Sequence, residues 1–86
     1  MLSAANEKVL MTVDFLSLDR LPTDISTITH YTNPDLSIDE VRIIVDLLCR
    51  DRYLDSRDID GHVWYSLTDI GRSESGRIIE RTINAN

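Results

Sequence analysis

The sequence predicts a small α+β domain in which three helices precede one antiparallel hairpin and a short C-terminal helix. Two observations carry that prediction. Ser37-Ile38-Asp39-Glu40 is a capping box, and it leads into Val41, Ile44, Val45 and Leu48, the spacing of a helix buried along one side. After Arg52 the apolar period falls to two, with residues 53–59 and His62–Leu67 flanking Asp60-Gly61, the dipeptide best suited to a type I′ two-residue turn. Eighty-six residues fit one domain over the whole chain. A chain this short buries only about 60 to 65 per cent of the surface its unfolded form exposes, so a small stability margin is expected.

The elements follow in order. From Ala4 to Leu18, apolar residues recur at Val9, Val13 and Leu16, flanked by Leu10 and Met11, which gives a first helix. Arg20-Leu21-Pro22 ends it, because proline cannot continue a helix interior. Thr23 or Asp24 can cap a short second helix that turns Ile25 and Ile28 inward and runs to about Tyr31, where Asn33-Pro34-Asp35 supplies turn chemistry. The third helix starts at Ser37 and ends near Arg50-Asp51-Arg52, with basic residues at the negative end of its dipole. In the hairpin, Ile59 should face His62, Arg57 should face Trp64 and Asp55 should face Ser66. Leu54, Tyr65 and Leu67 then lie on the other side and close the core. Thr68 is the candidate cap of the last helical segment, which carries Ile78, Ile79 and Ile83 and is loosened by Gly71 and Gly76.

Composition bounds the function. With 42% hydrophobic and 28% charged residues the chain lies well away from the disordered corner. Its formal charge of -6 repels phosphate on average. The bases are nearly all arginine, Lys8 being the only lysine, and aspartate outnumbers glutamate. Such surfaces resemble those of proteins from salt-loving archaea or their viruses, and in concentrated salt a Debye length of about 3 Å leaves net charge little say in nucleic-acid binding. No apolar run approaches the length of a membrane span. Residues 1–6 lack the features of a secretion signal, so a cytoplasmic location is expected. Cys49 stands alone, which excludes an internal disulfide or a multi-cysteine metal site.

Helix, short helix, turn, longer helix and hairpin is the order of a winged helix-turn-helix domain. The residues from Ile25 through Leu54, with Leu36 in the turn and 41–48 leading into Arg52-Tyr53-Leu54, resemble the helix-turn-helix and wing entry of MarR-like and PadR-like regulators. Tyr65-Ser66-Leu67-Thr68-Asp69-Ile70-Gly71 is similar to the Y-x-L-T-x-x-G closure of their wing. The resemblance implies double-stranded DNA as partner, with the third helix in the major groove and the wing on the neighbouring backbone or minor groove. It covers most of the chain and speaks more for fold than for function, since winged helices also dock proteins.

Turning Val41, Ile44, Val45 and Leu48 inward puts Asp39, Ile43, Asp46 and Arg50 outward, with Arg42 to one side and Leu47 to the other. Two aspartates thus stand where phosphates and base edges would lie, although a carboxylate can accept from the amino group of cytosine. On the wing, Arg57 is the cross-strand neighbour of Trp64, a candidate cation–π pair, with His62 beside them. The equal alternative is that Trp64 covers core or a dimer contact. The nucleic-acid candidates are therefore Ser37, Arg42, Arg50, Arg57, His62 and Trp64. Arg50, Arg52, Arg57, Arg72, Arg77 and Arg81 could form a phosphate-facing strip, or pair with Asp51, Asp55, Glu74 and Glu80.

The competing reading is an acidic protein-docking module, viral or a subunit of a larger assembly, using Ile43, Leu47, Trp64 and the acidic outer face, while Ile78, Ile79 and Ile83 suggest a homodimer face. Enzymatic chemistry finds no support. Residues 56–61 imitate a calcium loop, but Leu67 stands at its twelfth position and a hairpin explains the spacing better. Neither His30 nor His62 has a spacing that pairs it with Cys49, and there is no glycine-rich phosphate loop, paired-acid site or zinc spacing. No cofactor or small-molecule substrate is expected.

Overall fold

A computed structural model of the chain describes residues 2–84. Its elements run α1 (Ala4–Leu18), α2 (Ile25–Thr32), α3 (Ile38–Arg50), β1 (Leu54–Ile59), β2 (His62–Leu67) and α4 (Asp69–Asn84). Helix α1 is the centre of the assembly and packs on α2, α3, α4 and β2.

Local chemistry sets the boundaries. Ser3 accepts from the Asn6 amide and caps α1, and Asp24 accepts from the Thr27 amide and caps α2. At α3 both halves of the capping box form: Ser37 Oγ accepts from the Glu40 amide at 3.2 Å, and Glu40 Oε1 accepts from the Ser37 amide at 3.0 Å. Helices α1 and α3 both end in a Schellman turn. Arg20 (φ 58) and Arg52 (φ 67) adopt the left-handed conformation there, and the amides of Leu21 and Tyr53 donate back to Leu16 and Leu48, each at 2.8 Å. Glycine is the usual residue at that position. Two arginines therefore carry backbone strain at the ends of the two helices that frame the motif.

The core is the expected stripe. Val41, Ile44, Val45 and Leu48 of α3 are buried against Val9, Leu10, Val13 and Leu16 of α1, with Ile28 of α2 and Leu54 of β1 completing it. The hairpin register is Leu54 with Leu67, Asp55 with Ser66, Arg57 with Trp64 and Ile59 with His62, as the Asp60-Gly61 turn dictates. Leu54 is buried, and Tyr65 and Leu67 pack partly buried against the same core.

The wing closure has a physical explanation. Thr68 Oγ accepts from the Gly71 amide at 2.9 Å, which caps α4, and donates to the carbonyls of Arg52 at 2.5 Å and Tyr53 at 3.2 Å. The Thr68 amide bonds the Tyr53 carbonyl as well, at 3.1 Å. A Cβ on Gly71 would sit 2.0 Å from that carbonyl oxygen, so only glycine admits the approach. Threonine and glycine three residues apart thus fasten the first turn of α4 to the end of α3.

The C-terminal helix departs from expectation. It is not short: α4 has 16 residues and is the longest element. Gly71 and Gly76 do not break it because tertiary contacts outweigh their poor propensity. Buried Ser75 donates to Asp14 at 2.6 Å, and Arg81 pairs with Glu7 at 2.5 Å, both on α1. The same packing draws Ile78 into the core at 6% exposure, so Ile78 does not belong to an external dimer face. Ile79 and Ile83 remain outside.

Candidate nucleic-acid interface

The outer side of α3 is presented as the helical period requires. Ser37, Asp39, Arg42, Ile43, Asp46 and Arg50 are exposed. Leu47, expected outward, is half-buried. Ile38 is a further exposed apolar residue at the helix start that the stripe argument missed. The Ser37 hydroxyl is engaged in the cap, and Arg50 lies 3.6 Å from Asp51.

The arginines divide into two groups. Arg77 pairs with Glu74 and Arg81 with Glu7, which with Arg50 puts half of the anticipated strip into ion pairs. Arg42 on α3, Arg52 after it, Arg57 on the wing and Arg72 on α4 have no ion-pair partner among the described residues. Arg42 stands on α3 and Arg57 on β1 of the ribbon, and both are exposed.

Tyr65, on β2, packs partly buried against the core. Burial, then the neighbouring Cys49 and Asp46, push its phenol above its ordinary pKa, while Arg42 acts in the opposite direction. Cys49 is half-buried, and burial followed by the charges of Asp46 and Asp55 holds its thiol above the usual range. A protonated, partly covered thiol is a poor nucleophile.

On the wing, Arg57 is opposite Trp64 in register and is exposed. The ring that stacks on Trp64, however, is His62, with centroids 4.4 Å apart and planes at 35°. The anticipated arginine–tryptophan pair therefore gives way to an imidazole–indole stack, His62 lying two residues away on the same face of β2. His62 also reaches Asp24, its Nε2 lying 2.8 Å from Oδ2. That contact joins residues 38 apart in sequence, and no local pattern announces it. Asp24 is largely covered. Burial alone would raise its pKa, but hydrogen bonds from Thr27 and His62, together with the charge of His62, outweigh that and hold it below 3.8.

No protein-family model matches the sequence, and no curated protein matches it. Solved structures do. AF1382 from Archaeoglobus fulgidus superposes with a TM-score of 0.87 at 17% identity, covering 100% of this chain and 92% of that one. The adhesin competence repressor AdcR from Streptococcus pyogenes gives a TM-score of 0.68 at 18% identity, over 98% of this chain and 62% of its own, so this chain spans under two thirds of that repressor. SSV1 F-93 gives 0.62 at 14% identity, over 94% and 92% respectively. At such identities the likeness establishes the architecture, which is a winged helix-turn-helix.

Proposed function

We propose that the chain is a DNA-binding transcriptional regulator that sets α3 in the major groove of a duplex and its wing on the adjacent backbone or minor groove. The observation that carries this reading is the pair of exposed cations without an ion-pair partner among the described residues, Arg42 on α3 and Arg57 on the wing, on the two elements with which this fold meets DNA. Arg52, at the end of α3, adds a third cation toward the backbone. Ser37 and Arg50 flank the helix surface, and the His62–Trp64 stack stiffens the wing. Similarity to a protein named as a repressor is consistent with this role. Asp39 and Asp46 restrict the helix to base edges that donate, such as the amino group of cytosine.

The reading also includes a homodimer. Ile79 and Ile83 are exposed at 41% and 68% on one face of α4, and covering them against a second copy removes apolar surface that a small domain cannot bury alone.

Fluorescence anisotropy with random duplex DNA at low and high salt tests the DNA reading. Binding should weaken as salt rises, and Arg57→Ala should lower affinity at every sequence tried. Absence of binding at any salt would overturn it. One observation favours a second reading in that event: Ile43 is 62% exposed and Ile38 43% exposed on the same helix, a surface suited to an apolar protein partner.

A further inference from the structure

The wing tip is held by a contact outside the hairpin. Beyond its ladder with β1, strand β2 meets the segment ahead of α2 at two points. The Tyr65 amide donates to the Thr23 carbonyl at 3.1 Å, and three residues nearer the turn His62 meets the carboxylate of Asp24. A two-stranded ribbon alone is marginal in water. These two bonds hold it from outside, and the side-chain one involves an imidazole, which gains a charge when protonated.

We infer that Asp24 and His62 form a pH-responsive strut that fixes the wing relative to the helix-turn-helix. This rests on the DNA-binding reading only for its consequence at DNA; the strut itself concerns the chain alone. The geometry is specific. Asp24 divides its carboxylate between two tasks, Oδ1 accepting from the Thr27 amide at 3.0 Å and Oδ2 facing His62 Nε2. Side-chain exposure is 15% for Asp24 and 53% for His62, so the carboxylate is the covered end of the contact and the imidazole the open one. Trp64 stacks on the imidazole and limits its rotamers.

The α2 cap brings Asp24, β1 brings the uncharged Ile59 opposite His62, and Arg57 lies one pair further along the ladder on that face. Of the two turn acids, Asp58 is engaged by the Gly61 amide at 2.9 Å, and Asp60 precedes Gly61 in the loop. Protonated, His62 makes a charge-assisted bond to an acceptor that stays ionised while the imidazole titrates. Neutral, it keeps at most an ordinary hydrogen bond. The wing is therefore held more firmly below the imidazole transition than above it.

Amide hydrogen exchange at Tyr65, expressed as protection relative to intrinsic rates, tests the strut without DNA. Protection should fall by about fivefold as pH rises through the imidazole transition. Asp24→Asn retains the helix cap and should show the reduced protection at low pH. His62→Gln keeps a donor but cannot titrate, and its protection should not vary with pH. Protection independent of pH in the parent protein, or unchanged in Asp24→Asn at low pH, would overturn the proposal. Duplex affinity measured over the same range separates the two readings. Loss of DNA binding at every pH with a preserved Tyr65 profile refutes the regulator and leaves the strut, whereas DNA binding without that profile does the reverse.

Discussion

Gly71→Ala places a methyl group where the structure has none to spare. The added Cβ would stand 2.0 Å from the Tyr53 carbonyl oxygen, about 1.4 Å inside ordinary contact, and the atom it meets is backbone and cannot rotate away. Separating them requires α4 to lift from the end of α3. That lift strains the bonds linking Thr68 to Arg52, Tyr53 and Gly71. Overpacking of this kind costs about 1–3 kcal/mol, and a lost hydrogen bond adds about 1 kcal/mol. The better helix propensity of alanine returns about 1 kcal/mol, so the net loss should be about 1–3 kcal/mol. For a domain of this size that lowers Tm by roughly 5–25 °C. Gly76 is the control, being five residues along the same helix with nothing within 4 Å of a built Cβ. Gly76→Ala should raise stability by about 0.5–1 kcal/mol. Urea unfolding of both variants, with unchanged m-values, measures the contrast. Two variants of equal stability would refute the claim that Gly71 exists for close approach.

Three further outcomes follow from the same geometry. Arg52→Gly should stabilise the chain by about 0.5–1 kcal/mol, because the left-handed turn after α3 would no longer strain a side chain; denaturation midpoints decide it. Asp24 contributes stability that is fully present above its unfolded value of 3.8 and is lost as pH falls through its lower folded value. The stability difference between the parent and Asp24→Asn should therefore shrink as pH falls below 3.8, which acid titration followed by circular dichroism can verify. Light scattering should find a dimer that Ile79→Glu with Ile83→Glu converts to monomer without loss of fold; a parent chain that is monomeric at high concentration would refute the α4 interface.

What could be read in the residues was what is local. The α3 stripe and its cap lie within a dozen residues, and the hairpin register follows from one dipeptide, so both appear in the fold as expected. Residue propensity misjudged α4, since Gly71 and Gly76 describe a weak helix only until Ser75, Ile78 and Arg81 find their partners on α1. Arg57 and Trp64 were correctly placed as neighbours, yet alternation along a strand says which side chains share a face and not which rings touch. His62 stacks there instead. The Asp24–His62 contact was out of reach for a different reason: it depends on how the wing folds back over the start of α2, a distance that no period encodes.

The DNA reading is tested most directly by the slope of log affinity against log salt concentration for a duplex, compared between the parent chain, Arg42→Ala and Arg57→Ala. If both cations meet phosphates, the parent slope is negative and each substitution makes it shallower by about 1. Equal slopes in all three proteins, or no measurable complex at low salt, would contradict an interface built on α3 and the wing.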